Sequence, residues 1–191
     1  MIRAFIAVDL DDPVIEKVCN VIETLNSRIT EIRWLKKENL HLTFKFLGNI
    51  AESQVEPIAA ALRDCLGLFS PCTLNAKGLG VFPNFRRPKI LWVGLIGDQL
   101  APLAANIESA LVPLGFIPEN RAFIPHLTVG RWRDASRPAK NLRQEIDSWN
   151  DFEFGACTIR QIVLFQSVLK PEGASYRELK TIQLGAKLTR S

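Results

Sequence analysis

The 191 residues suffice for one ordinary domain or two small lobes sharing a core, and a hydrophobic content of 47% can supply that core. No window approaches the roughly 18 consecutive apolar residues that span a bilayer; the longest clean run, Ile90 to Ile96, is interrupted by Gly94, which excludes a membrane-spanning role. Twenty-four Lys and Arg against 20 Asp and Glu leave a net charge of +4, a mild bias toward anionic ligands without the dense basic stripe of a duplex-DNA binder.

The opening stretch is apolar for too few residues to be a secretory signal and meets three aspartates by Asp12. It is expected to form the first strand, over 2–10, of a cytoplasmic protein. Asp11-Asp12-Pro13 then starts a helix, with acids at the cap, proline in the first turn, and an apolar stripe of Val14, Ile15, Val18, Val21, Ile22 and Leu25. Further strands are expected over 40–47, 74–82, 90–96, 123–132 and 158–169, all rich in β-branched and aromatic residues and bounded by Gly, Pro or Asn. Helices are expected between them at 53–66, 99–111 and 137–149, an alternation that suits an α/β or α+β domain. The connection from Pro83 to Pro88 reads as a turn-rich hairpin, whose tip, Arg86 and Arg87, is a solvated basic loop left outside the candidate site. Cys19, Cys65, Cys72 and Cys157 form no CxxC and have no His nearby, so they are expected to be reduced thiols.

The chain holds two histidines, and both sit in the same local context: Leu40-His41-Leu42-Thr43-Phe44 and Pro125-His126-Leu127-Thr128-Val129. A lone histidine on a half-buried strand would read as a polar residue on the solvated face. Repetition points to chemistry instead. On a strand, His41 and Thr43 point one way while Leu42 and Phe44 point into the core, and His126 and Thr128 do the same against Leu127 and Val129. If both strands line one groove, two imidazoles can stand on opposite sides of a phosphorus centre, one taking a proton from water and the other giving one to the leaving oxygen. The two threonine hydroxyls can donate to the non-bridging oxygens. Spacing alone does not assign which histidine is acid and which is base.

His41-Leu42-Thr43-Phe44-Lys45-Phe46-Leu47-Gly48 together with His126-Leu127-Thr128-Val129-Gly130-Arg131 resembles the paired HxTx motifs of the two-histidine phosphoesterase superfamily. Arg3 to Ala7, Trp34 to Leu40, Gly80 to Asn84, and Ser167 to Gly173 with Tyr176 resemble, in order, the RNA 2′,3′-cyclic phosphodiesterases once labelled 2′-5′ RNA ligases, or LigT-like. The resemblance implies a bilobal α+β fold with a pseudo-twofold duplication: two antiparallel β-sheets around a central groove, helices on the outer faces, and residues 1–191 as one two-lobed domain. It implies hydrolysis of a terminal 2′,3′-cyclic phosphate on RNA to a 2′-phosphomonoester with no metal or cofactor. His41 is then the proton donor, His126 the proton acceptor, and Thr43 and Thr128 bind phosphate. The reverse 2′-5′ joining of RNA ends uses the same pair, but no P-loop or other ATP motif is present to drive it. The alternative from another class is a non-catalytic RNA-end or nucleotide-binding protein using the same groove. A monomer is the simplest expectation.

Around this pair, strict alternation puts Arg131 on the face opposite His126, so that it reaches phosphate only if the strand ends or bulges at Gly130. Lys45 is expected on the face of His41 and Thr43, its backbone about 13 Å from that of His41. Phe44 and Phe46 are expected to pack in the core. Tyr176, the only tyrosine, matches a family position near the groove, where its ring either stacks a nucleobase or anchors the last strand.

Overall fold

A computed structural model describes residues 1–134, 141–170 and 173–185. In chain order the elements are β1 (Ile2–Asp9), α1 (Asp12–Asn26), β2 (Ile32–Trp34), β3 (His41–Ile50), α2 (Val55–Leu66), β4 (Cys72–Phe82), β5 (Ile90–Ile96), α3 (Leu100–Leu111), β6 (His126–Trp132), α4 (Leu142–Asp147), β7 (Glu153–Ile159), β8 (Gln161–Lys170) and β9 (Gly173–Gln183). The first three expected helices form where their apolar stripes place them, each burying that stripe. The fourth is shorter than expected, and residues 135–140 of its approach lie outside the described residues. The expected strand over 158–169 is two strands, broken at Arg160. The three-residue β2 was not anticipated.

All strand pairs are antiparallel, in the order β7-β4-β5-β6-β3-β1-β8-β9, with β2 on β6. The two expected sheets are thus four-stranded halves, β6-β5-β4-β7 and β3-β1-β8-β9, joined through one residue pair, Leu42 and Leu127. The halves exchange helices. The helix after β1, α1, packs on β7 of the other half, and the helix after β5, α3, packs on β3. The connections of β1 to β3 and of β5 to β6 repeat the same path, which is the duplication hinted at by the two His-Leu-Thr triplets.

One contiguous core lies between the helices and the sheet, and Leu42 and Leu127 are fully buried in it. Along β1, Ile2, Ala4, Ile6 and Val8 belong to that core, whereas Phe5 and Ala7 face the other way. With Val163 and Phe165 of β8 they form a second, smaller apolar cluster against which Tyr176 packs. That second face is the groove.

Candidate functional site

His41 opens β3 and His126 opens β6, and the antiparallel pair Leu42–Leu127 fixes how they meet. One residue to either side, the register sets His41 opposite Thr128 and Thr43 opposite His126. The two histidines are then diagonal neighbours, about 7–8 Å apart along the backbone with their Cβ atoms somewhat closer. The motif leucines are pegs in the core, and alternation sends all four polar side chains, each half-buried, into the groove.

Each imidazole is held differently. The Nδ1 of His126 lies 2.7 Å from the Ile124 carbonyl oxygen. A carbonyl can only accept, so Nδ1 carries the hydrogen and Nε2 keeps its lone pair. Phe82 meets this ring edge-on at 5.0 Å between centroids, and Trp92 lies 6.5 Å away. Gly80 makes room for Trp92, since a Cβ there would meet the indole at 2.2 Å. His41 is fixed by packing: Phe5 stacks on it at 5.0 Å and Tyr176 contacts it edge-on at 5.0 Å. Burial, aided by the Arg131 guanidinium, lowers His41 from 6.5 to about 4. Burial also lowers His126, opposed by its bond to Ile124 and assisted by Arg131. The Tyr176 phenol is pushed up by burial against the pull of Arg131 and Arg3.

Two bulges correct the expectation of strict alternation. In β3, Ala7 pairs with Thr43 and Ile6 with Lys45, so Phe44 is the extra residue. Lys45 therefore turns inward, not to the face of His41: it is 4% exposed, ion-paired with Glu108 of α3 and donating to the Ile117 carbonyl at 3.0 Å. Phe46, expected in the core, pairs with Phe5 on the groove face and is 63% exposed, while Phe44 is buried as expected. In β6, Trp92 pairs with Thr128 and Leu91 with Gly130, so the bulge falls at Val129, one residue before the position considered from sequence. Arg131 consequently shares the face of His126 and Thr128, close enough to influence both histidines and Tyr176. The hairpin tip carrying Arg86 and Arg87 is an exposed turn organised by the Asn84 side chain.

Sequence reading missed Phe5, Phe82, Trp92 and Phe165, the aromatic walls around the histidines. Their signal appears only once pairing is known: Phe5 and Trp92 lie on the strands beside the motif strands, and Phe165 and Phe82 lie one strand further out, paired with Phe5 and Ile90. The four cysteines are free thiols, two of them buried. Among the described residues no three His, Cys, Asp or Glu side chains gather to hold a metal ion, and no helix is long and apolar enough to cross a membrane. A slot with two unprotonated imidazoles, two hydroxyls and one guanidinium suits a small anion that exchanges protons on two sides.

The model of a family described as LigT like Phosphoesterase matches residues 8–92 and 94–176. An RNA 2′,3′-cyclic phosphodiesterase of Methanothermobacter thermautotrophicus is 33% identical over 184 residues, covering 96% of this chain and 99% of the relative. Its counterpart of that name in Archaeoglobus fulgidus is 32% identical over 182 residues, covering 95% and 99%. In fold, a crystal structure from Thermus thermophilus superposes with a TM-score of 0.82 at 24% identity, covering 97% of this chain and 99% of that one. E. coli LigT complexed with 3′-AMP gives 0.74 at 23% identity, covering 96% and 98%.

Proposed function

The chain belongs to the LigT like phosphoesterase family, and on that premise we propose that it hydrolyses the terminal 2′,3′-cyclic phosphate of RNA to a 2′-phosphomonoester. The observation that carries this reading is the Leu42–Leu127 pair, which turns both imidazoles and both threonine hydroxyls toward one slot. His126 is the base: its Nδ1–H is committed to Ile124, so Nε2 takes the proton of the attacking water. The new water-oxygen–phosphorus bond forms as the bond to the 3′ oxygen breaks, and His41 gives its proton to that oxygen. His41 is neutral in the free protein at pH 7, and the anionic phosphate beside it favours the protonated form. Thr43 and Thr128 donate to the non-bridging oxygens, whose charge grows in the transition state.

Arg131 adds positive charge at the scissile phosphate, and Tyr176 offers a ring to the terminal base. The roles require no metal. With an RNA 5′-hydroxyl in place of water the same pair would form a 2′-5′ bond, although water at high concentration favours hydrolysis. Residues 1–191 act as one two-lobed unit, a monomer in the cytoplasm. The test is to incubate the protein in EDTA with an oligoribonucleotide ending in a 2′,3′-cyclic phosphate, beside His41→Ala and His126→Ala. A 2′-phosphate should form, with each variant slower by about two to four orders of magnitude. Retained binding without turnover in the wild type would leave an RNA-end binding protein instead.

A further inference from the structure

The middle residue of β2 is Arg33, and it pairs directly with Arg131 of β6. Paired residues on antiparallel strands share a face, so both guanidinium groups leave the sheet on the groove side. Like charges directly opposed across a sheet are destabilising, and among the described residues neither group is ion-paired with a carboxylate. Arg33 also lies against β9. Its Nη2 lies 3.1 Å from where a Cβ on Gly173 would sit, so the start of β9 leaves space for it. The Asn39 side chain donates to the Ala174 carbonyl at 3.0 Å, fastening the same end of β9 to the segment that follows β2. Tyr176, three residues further along β9, contacts His41. Arg33 therefore stands at the His41 end of the groove, one strand beyond Arg131.

In-line attack puts water on the His126 side and the leaving 3′ oxygen on the His41 side. The ribose and everything 5′ of it must leave the slot past His41, toward Arg33. We propose that Arg33 binds the phosphate immediately 5′ of the cyclised nucleotide, so that an RNA end is recognised by two phosphates, the scissile one and its upstream neighbour. The inference rests on the acid and base roles given above. It distinguishes an oligonucleotide end from a cyclic mononucleotide by one charge-assisted contact.

The test uses ligands that differ by a single phosphate: adenosine 2′-phosphate and adenosine 2′,5′-bisphosphate, titrated into the wild type, Arg33→Ala and Arg33→Lys. The wild type should prefer the bisphosphate by about tenfold or more, as expected for a hydrogen bond to a charged group, and added salt should shrink that preference. In Arg33→Ala the ratio of the two affinities should fall toward one. Arg33→Lys should keep part of it, because the charge remains while the planar fork is lost. An unchanged ratio in Arg33→Ala, or no preference in the wild type, overturns the proposal. Turnover of the matching 2′,3′-cyclic nucleotides, measured in parallel, reads the phosphodiesterase separately: binding preference without turnover would reject the hydrolase reading and keep the second phosphate site.

Discussion

Phe46 and Arg131 hold equivalent positions in the two halves, each five residues after its histidine and each turned into the groove by a bulge at the residue following the motif threonine. The histidines and threonines repeat between halves, but these two do not: one end of the groove carries an exposed aromatic ring and the other a cation. The pair thus breaks the symmetry of a duplicated site. Just before them, Lys45 points inward beneath its bulge, and Gly130, with no side chain, lets Ile32 and Trp34 support the other.

Gly130 tests that support. A Cβ there would lie 2.4 Å from Cγ2 of Ile32, itself buried, and 3.3 Å from the Trp34 ring. Overpacking of this kind costs about 1–3 kcal/mol. Gly130→Ala should therefore lower the urea midpoint and, by pushing β2 from β6, misplace both Arg131 and Arg33 and weaken binding of phosphate ligands. A variant with wild-type midpoint and affinity would show that the close approach of β2 is dispensable.

Lys45 is the corresponding support in the other half. Replacing it with methionine leaves the Glu108 carboxylate, only 19% exposed, without its partner and the Ile117 carbonyl without its donor. Losing one member of such a pair should cost about 3–5 kcal/mol. Replacing both, Lys45→Met with Glu108→Leu, should recover most of the loss, because an apolar pair of similar volume is close to neutral. Urea denaturation of the two single variants and the double variant completes the cycle; additive losses would mean that the ion pair is not what holds this bulge.

Much of the site was legible because a repeated triplet with one residue type in the core and two outside it is a one-dimensional signal. His41, His126, Thr43 and Thr128 needed only strand alternation to be grouped, and the leucines between them form the pair that joins the halves. A bulge is different: the extra residue is visible only against the partner strand, so Lys45, Phe46 and Arg131 could not be assigned a face from their own segment. The three residues of β2 are too few to show a period, which hid Arg33. No Gly, Pro or Asn marks the break at Arg160, so two strands looked like one. The partner of Lys45 is 63 residues away, beyond the reach of any local pattern.

The pH dependence of turnover follows from the two lowered imidazoles. Burial lowers both imidazoles in the free protein; under the proposed roles this favours the unprotonated base at His126, while His41, at about 4, lacks the proton the proposed acid needs. Since kcat/KM reports the free enzyme, it should follow a bell with its maximum on the acid side of 6.5. The kcat profile should lie at higher pH, because bound phosphate raises both groups. Arg131 lowers both histidines, so Arg131→Gln should move the kcat/KM profile upward in pH as well as weakening phosphate binding. A shift to lower pH, or none, would contradict a guanidinium that acts on both imidazoles.

Folding stability should carry the same signature. The unfolded chain takes up a proton at His41 below 6.5, whereas the folded protein does so only near 4. The stabilisation is complete above 6.5 and is lost as pH falls through the window down to about 4, an effect of about 3 kcal/mol. His126 acts in the same direction, and Asp9, whose carboxyl is raised by burial and by Glu178, acts in the opposite one. Comparison with His41→Gln cancels the other groups. Urea midpoints measured between pH 7 and 4 should fall more steeply for the wild type than for the variant. Parallel slopes would mean that His41 titrates alike in both states, and with that the burial beneath Phe5 and Tyr176 would lose its electrostatic consequence.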